Sequence, residues 1–364
     1  MTTSHPASGT YLVTGAAGFI GSHLVESLLA RGDEVVGLDN FDPFYDPALK
    51  LRNVQAASRS PRYRLESGDI RDTDLLDRLF GDHRFDAVVH LAARAGVRPS
   101  LKQPVLYDAV NVAGTTSVLE TARAHGVTRV VLASSSSVYG ATSTPPFRED
   151  DAADRPSSPY AATKRANEVA AYAFHHLYGF DTTCLRFFTV YGPRQRPEMA
   201  IRSFTHLIDT GRRVELFGDG TSQRDYTYVD DVVAGVVAAL DRPNGYRIYN
   251  LGTTATVPLR ELVHKIGERL GKQPLVSYGP AQDGDVPLTH ADISLARKEL
   301  DYEPTTSIDE GLERFVEWYR DESKVITLPR EMNPSVPSHL RDTDHAVVAL
   351  SGARTLDYRG EVTA

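Results

Sequence analysis

The chain has 364 residues, 41% hydrophobic and 24% charged, enough for a large core or two fused lobes. Forty Lys and Arg against 48 Asp and Glu give a net charge of −8, which argues against a broad basic surface for nucleic acid, although a local arginine cluster can still hold a small anion. A single cysteine, Cys184, excludes an intrachain disulfide framework and a cysteine metal cage. No run approaches the roughly 18 apolar residues of a membrane span, and Met1–Thr10 lacks the basic-then-apolar order of a signal peptide. The expectation is a cytoplasmic enzyme or binding protein with no metal.

Tyr11–Thr14 reads as a strand, a glycine-rich turn follows, and a helix runs from about Ser22 to Ala30 before the next strand, Glu34–Leu38. Strand, glycine turn, helix, strand is a right-handed crossover unit. Its turn is Gly15-Ala16-Ala17-Gly18-Phe19-Ile20-Gly21. Glycines there let the backbone turn tightly and approach a pyrophosphate, and the helix N-terminus adds free N–H groups and partial positive charge. The spacing is Gly-x-x-Gly-x-x-Gly rather than the commoner Gly-x-Gly-x-x-Gly. Asp39 closes the second strand about 20 residues on, where a carboxylate accepts from a ribose diol and repels a 2′-phosphate, favouring NAD over NADP. Asp69 and Ile70, after Tyr63–Glu66, are candidates for the adenine side.

Further along, Ala87–Ala92 and Arg129–Ser134 read as buried strands, with helical spacing over Val110–His125 between them. Such alternation predicts a doubly wound parallel sheet covered by helices on both faces. The strand at Arg129 ends in Ser134-Ser135-Ser136-Ser137-Val138-Tyr139-Gly140, at the sheet edge where open α/β sheets bind ligands. Tyr160 and Lys164 are four apart on a segment with helical continuation, so both lie on one face. A neighbouring ammonium and a cationic nicotinamide would depress the phenol pKa, suiting Tyr160 to general acid–base work. A serine hydroxyl at the strand end can meanwhile hold a substrate oxygen. His90 and Cys184 read as packed residues rather than chemistry.

After Phe188 the rhythm shortens at Pro193, Pro197, Gly211, Gly218, Gly220 and Pro243, and Leu259–Leu270 and Ile308–Tyr319 return as helices. The division predicted is 10–188 for the dinucleotide domain, with a segment near 227–250, Thr227–Leu240 within it, able to rejoin its sheet. Residues 189–326 are mainly a smaller substrate lobe, and 327–364 a proline-punctuated tail.

Taken together, Gly15–Gly21, Asp39, His90-Leu91-Ala92-Ala93, Asn111, the serine run, Tyr160/Lys164 and Arg186-Phe187-Phe188-Thr189-Val190-Tyr191-Gly192-Pro193 resemble the extended short-chain dehydrogenase/reductase family in its nucleotide-sugar branch, from Tyr11 to Tyr319. The resemblance implies a Rossmann-type doubly wound sheet with a smaller C-terminal α/β lobe. It implies NAD held by Gly15, Gly18, Phe19, Ile20, Gly21, Asp39, Asn40, Asp69, Ile70, Leu91, Ala92, Ala93, Tyr160 and Lys164. Ser135, Tyr160 and Lys164 would be catalytic, Asn111 would steady the active-site helix, and paired helices would join a homodimer.

Relatives in that branch divide at a 4-keto sugar. Dehydratases look like Thr-Asp-Glu, and UDP-glucuronate decarboxylases like Thr-Ser-Glu, where this chain has Ser135-Ser136-Ser137, hydroxyls of far higher pKa. Without that carboxylate, the hydride returns to the other face and the sugar is epimerised at C4. The stretches Leu38–Asn40 through Asp46, Ala95–Ser100 and Phe188–Pro197 resemble UDP-glucuronate 4-epimerases, whereas UDP-glucose 4-epimerases usually carry Asn at the Thr189 position. Ser136, Ser137, Thr189 and Arg196 are the implied holders of the sugar and its carboxylate, Arg offering a planar fork. Arg224 is assigned to the diphosphate and Asp285 to the uridine ribose. The alternatives are a UDP-glucose or UDP-N-acetylglucosamine 4-epimerase, a UDP-glucuronate decarboxylase, and a non-catalytic NAD sensor.

Overall fold

The computed structural model describes residues 8–141, 143–280 and 286–325; the tail over 327–364 and Asp285 lie outside the described residues. The first half repeats strand and helix. β1 (Thr10–Thr14) leads through the glycine turn into α1 (Phe19–Arg31), then β2 (Glu34–Asp39), α2 (Pro47–Val54), β3 (Tyr63–Ser67), α3 (Thr73–Asp82) and β4 (Ala87–His90). Two short helices follow, α4 (Val97–Lys102) and α5 (Pro104–Tyr107), then a π-helical turn over Asp108–Ala113 that runs into α6 (Gly114–Ala124). β5 (Arg129–Ser135) ends in a 3₁₀ turn at Ser136–Tyr139, and α7 (Pro159–Tyr178) leads to β6 (Asp181–Phe187).

The second half is shorter-stepped: β7 (Thr189–Tyr191), α8 (Ala200–Asp209), β8 (Arg213–Phe217), β9 (Gln223–Arg224), β10 (Tyr226–Tyr228), α9 (Val229–Asp241), β11 (Tyr246–Leu251), β12 (Val257–Pro258), α10 (Leu259–Leu270), β13 (Leu275–Gly279), α11 (Ser294–Leu300) and α12 (Ile308–Val325).

Seven strands form one parallel sheet in the order β11-β6-β5-β4-β1-β2-β3. This is the expected doubly wound fold, and the order reverses between β1 and β4, where a crevice opens at the carboxyl edge. Burial on both faces explains the unbroken apolar runs. Along β1, Tyr11 and Val13 pack with Leu24 and Leu28 of α1 on one face, while Leu12 packs with Leu76 and Leu79 of α3 and Val118 of α6 on the other. The segment after β10 returns to this sheet first as a helix, α9, lying on α1, and then as the edge strand β11, so the strand falls after Thr227–Leu240 rather than within it. β4 also stops at His90, short of the predicted Ala92, which frees Leu91–Ala93 to line the crevice.

Three two-stranded patches, β7–β10, β8–β13 and β9–β12, sit with α8, α10 and α12 beyond the crevice. Asp225, fully buried between β9 and β10, ties this region together. It accepts from the N–H groups of Thr253, Thr254 and Ala291 and from the Thr227 hydroxyl. No helix among the described residues is long and apolar enough to cross a membrane.

Candidate active site

A cavity of about 500 Å³ fills the crevice. It is lined from the ends of β1, β2, β4, β5 and β6, and from beyond the sheet by Thr189, Arg196, Met199, Arg224, Val286 and Thr289.

The glycine turn forms its floor. Gly15 has φ +71°, a left-handed conformation, and its N–H donates to the Leu38 carbonyl at 2.7 Å. Gly18 caps α1 without a side-chain hydrogen bond, and no acid occupies the first turn, so the helix N-terminus faces the cavity with its N–H groups available to an anion. A Cβ on Gly21 would lie 2.1 Å from the Gly15 carbonyl oxygen, a backbone atom that cannot move without the turn. Gly21→Ala is therefore expected to displace the turn and weaken dinucleotide binding by roughly tenfold or more. Dinucleotide titration against the parent protein checks this, and unchanged affinity would contradict it.

Asp39 is buried and already busy. It accepts from the N–H of Ala17 at 3.1 Å and of Phe41 at 2.8 Å, and Lys50 Nζ lies 3.3 Å away. A ribose hydroxyl at this carboxylate would share it with Lys50, a partner the sequence reading did not include. Asp69 is gripped by Arg71 Nε and Nη2, both at 2.8 Å, and by Asn40 Nδ2 at 2.9 Å. The Arg71 guanidinium accordingly holds its carboxyl down, at about 2. Ile70 is buried beside it.

On the opposite wall, Ser158 caps α7 and Pro159 occupies its first turn, so the helix starts just before Tyr160. Tyr160 and Lys164 share its inner face. Lys164 is almost fully buried, its ammonium donates to the Ala133 carbonyl at 2.7 Å, and Nζ lies 6.0 Å from the centre of the Tyr160 ring. Burial lowers its pKa to about 8. The Tyr160 phenol is raised, not lowered: burial dominates, and the hydrogen bond with Ser135 and the Arg196 charge only partly oppose it. Of the two positive charges expected to depress the phenol together, the Lys164 ammonium is directed at the β5 carbonyl, and without the nicotinamide burial prevails. Ser135 Oγ accepts from the N–H of Ser137 at 3.2 Å and lies 2.9 Å from Ser137 Oγ. Ser136 lines the cavity with them.

Asn111 sits fully buried in the π-helical turn. Its amide bridges the backbone N–H and C=O of Arg94 at 2.8 and 3.0 Å and reaches Thr163 Oγ1 on α7 at 3.0 Å. The uniform helix predicted over Val110–His125 is thus interrupted where this amide is needed. His90 is neutral, held down to about 3 by burial, between Thr14 Oγ1 at 2.7 Å and Thr115 Oγ1 at 3.0 Å. Cys184 is buried and its thiol raised.

The sugar-side candidates meet at the mouth. Thr189 is fixed by its N–H on the Asp225 carbonyl at 3.1 Å. Arg196 pairs with Glu198 at 2.8 Å and lies 5.8 Å from the Phe44 ring. Arg94 lies 5.1 Å from that ring and donates to Asp42 at 2.5 Å. Phe44, Arg94 and Lys50 were not anticipated, since each acts through a partner outside its own stretch of sequence, and Glu198 was passed over although its partner Arg196 is two residues away. Among the described lining residues the carboxylates are Asp39, Asp42 and Asp69, on the β2–β3 side; the β5–β7 side around Tyr160 carries hydroxyls.

Missed altogether was a buried ion pair behind this wall. Glu168 of α7 takes Arg186 Nε and Nη2 of β6, both at 2.9 Å, and the Ser134 hydroxyl at 2.6 Å. Its sequence signal is an arginine inside the apolar strand Thr182–Phe187, which must have a buried acid.

The family model described as GDP-mannose 4,6 dehydratase matches residues 12–315. UDP-glucuronate 4-epimerase 4 of Arabidopsis thaliana is 46% identical over 330 residues, covering 85% of this chain and 75% of the relative. The UDP-glucuronate 4-epimerase of Thermodesulfobacterium geofontis is 43% identical, covering 87% and 98%. The crystal structure of UDP-glucuronic acid 4-epimerase from Bacillus cereus in complex with UDP-glucuronic acid and NAD superposes with a TM-score of 0.81 at 36% identity, covering 86% of this chain and 99% of that one.

Proposed function

The chain belongs to the extended short-chain dehydrogenase/reductase family, in the group described as GDP-mannose 4,6 dehydratase, and from that premise we propose that it is an NAD-dependent UDP-sugar 4-epimerase that interconverts UDP-glucuronate and UDP-galacturonate. The observation that carries this reading is the wall of hydroxyls around Tyr160, with no side-chain acid among the described lining residues on that side. A dehydratase or decarboxylase would use such an acid to divert the oxidised sugar; here the hydrogen taken from C4 can only be handed back.

NAD suits the donor set: a glycine cradle under a bare helix N-terminus for the pyrophosphate, and Asp39 at the ribose position. Gly15, Gly18 and Gly21 make room for it, Phe19 and Ile20 begin the helix, and Asn40, Asp69, Ile70 and Leu91–Ala93 flank it. When bound, NAD supplies the hydride acceptor and donor at C4. The residues of the chain do the rest. Ser135 positions the 4-oxygen, Tyr160 removes its proton and later returns one, and Lys164 keeps positive charge beside the cofactor ribose and phenol. Ser136, Ser137, Thr189 and Arg196 hold the sugar and its carboxylate, and Arg224 holds the diphosphate. In this reading residues 10–188 with 229–251 carry NAD, and the remainder up to 326 carries most of the sugar nucleotide.

A homodimer belongs to the same reading. Leu101, Val105, Val169, Tyr172 and Leu177 are exposed on α4, α5 and α7, an apolar face suited to the same face of a second copy.

The keto intermediate of a uronate is a β-keto acid that loses CO₂ when its C5–C6 bond aligns with the carbonyl π system. Hydrogen bonds from Ser136 and Thr189 are assigned to hold the carboxylate out of that alignment. Ser136→Ala and Thr189→Ala are therefore expected to leak a UDP-pentose alongside the epimer, detected by mass; products as pure as the parent's would refute the assignment.

The test of function is to incubate the purified protein with UDP-glucuronate, without added NAD, and separate the products. An isomer of equal mass supports the reading. Loss of CO₂ would select a decarboxylase, turnover of UDP-glucose or UDP-N-acetylglucosamine alone a neutral-sugar epimerase, and bound NAD with no turnover a sensor.

A further inference from the structure

We propose that Glu168 is a positioning residue of the active site: its buried carboxylate, gripped by Arg186, fixes the end of β5 through Ser134 and stands as the countercharge to the Lys164 ammonium one helical turn away. The inference rests on the reading above that Lys164 works as a cation beside Tyr160.

The geometry is specific. Glu168 and Lys164 are four apart on α7, so their side chains leave the same inward face, with Cβ atoms about 6 Å apart. Both are nearly inaccessible to solvent. The ammonium touches the carbonyl of Ala133, and the next residue, Ser134, donates its hydroxyl to Glu168 at 2.6 Å. One carboxylate thus braces the strand end that presents Ser135 from the residue immediately before it. Arg186 closes on Glu168 with two parallel hydrogen bonds of 2.9 Å, and Arg165 adds a third at 2.8 Å, which fixes the carboxylate in one orientation.

A buried ammonium needs negative charge within reach. Among the described residues, β4, β6 and α7 itself bring titratable groups to Lys164. β4 brings His90, which is neutral. β6 brings Cys184, whose burial keeps the thiol protonated, and Arg186, whose guanidinium is turned to Glu168 and the face of Tyr139. α7 itself brings Tyr160 and Glu168. Of these groups Glu168 is the anion at neutral pH: Arg186, Ser134 and Arg165 together outweigh its burial and keep its carboxyl ionised. Burial drives Lys164 down to about 8, and contributions from the side of Cys184 and of Glu168 oppose that fall.

The test measures the Lys164 titration directly. The chain has seven lysines, so labelling lysine at the ε-carbon gives a spectrum simple enough to assign with Lys164→Met. The comparison is between the NAD-loaded parent and E168Q/R186M, which removes both charges together and so avoids stranding one of them. The double variant is expected to bind NAD and melt cooperatively, with the Lys164 midpoint lower than the parent's. Lys164 acts protonated, so activity is lost as pH rises through its pKa, and the alkaline limb of kcat should move to lower pH by the same interval. Ser134→Ala keeps the ion pair and should leave the Lys164 midpoint in place while lowering kcat. A folded double variant whose Lys164 midpoint matches the parent's overturns the proposal, as does a kcat that falls with an unmoved alkaline limb. If the midpoint moves but the parent converts no UDP-glucuronate, the countercharge assignment stands and the substrate reading fails.

Discussion

Tyr160→Phe is expected to lower kcat for UDP-glucuronate by about 10²- to 10⁴-fold, the usual contribution of a positioned acid–base group, while NAD stays bound. The variant removes one oxygen and keeps the ring, which packs edge-on to Tyr107 with centroids 6.3 Å apart. Ser135 loses one partner but retains Ser137, so the stability cost should stay near ~1 kcal/mol. Conversion is followed by chromatography of the two UDP-uronates, and cofactor content by releasing NAD from the purified variant. A variant that keeps more than a tenth of parental kcat would show that another group moves the proton. One that loses NAD would show that the hydroxyl serves binding instead. The raised phenol sharpens the expectation. Burial opposes ionisation, so the phenol becomes an effective base only when positive charge at Lys164 and at the nicotinamide offsets that burial.

What the sequence made legible was what local spacing encodes. Gly15–Gly21 and Asp39 lie within one strand–turn–helix–strand unit, and Tyr160 and Lys164 are one helical turn apart; their relation survives any uncertainty about the rest of the fold. The seven-stranded parallel sheet was readable because strands buried on both faces leave unbroken apolar runs such as Val88–Val89 and Val130–Val131. Less legible was where the chain between lobes goes: α9 and β11 rejoin the large sheet after a passage through the smaller patches, and nothing in their own periodicity announces which side they choose. Least legible were partners brought together from outside one local stretch of sequence. Phe44 lies between Arg94 and Arg196, and Lys50 reaches back to Asp39. The direction of the Lys164 ammonium was equally hidden, since it depends on the carbonyl that β5 offers and not on the Tyr–Lys interval.

Arg186→Met is expected to cost about 3–5 kcal/mol of folding stability at pH 7, because it strands the Glu168 carboxylate in the interior. Both side chains of the pair are 1% exposed, so water cannot replace the lost partner, and the guanidinium also leaves the Tyr139 face that it covers at 4.7 Å. E168Q/R186M removes the orphaned charge and should recover a large part of the loss. The pH dependence carries the argument further. In the parent, hydrogen bonds and charge hold the folded Glu168 below its usual carboxylate range, so its contribution is full above the unfolded pKa near ~4.3 and is lost as pH falls through the lower folded value. In Arg186→Met, burial acts with less opposition and raises the folded carboxyl, so the folded variant binds the proton more readily than the unfolded chain does. Its stability then falls as pH rises through that raised value, and the deficit relative to the parent narrows between pH 7 and pH 5. Urea unfolding of parent, single and double variants at both pH values measures this. An equal deficit at the two pH values, or a single variant no weaker than the double, would mean that the carboxylate is not stranded and that Arg165 and Lys164 suffice to hold it.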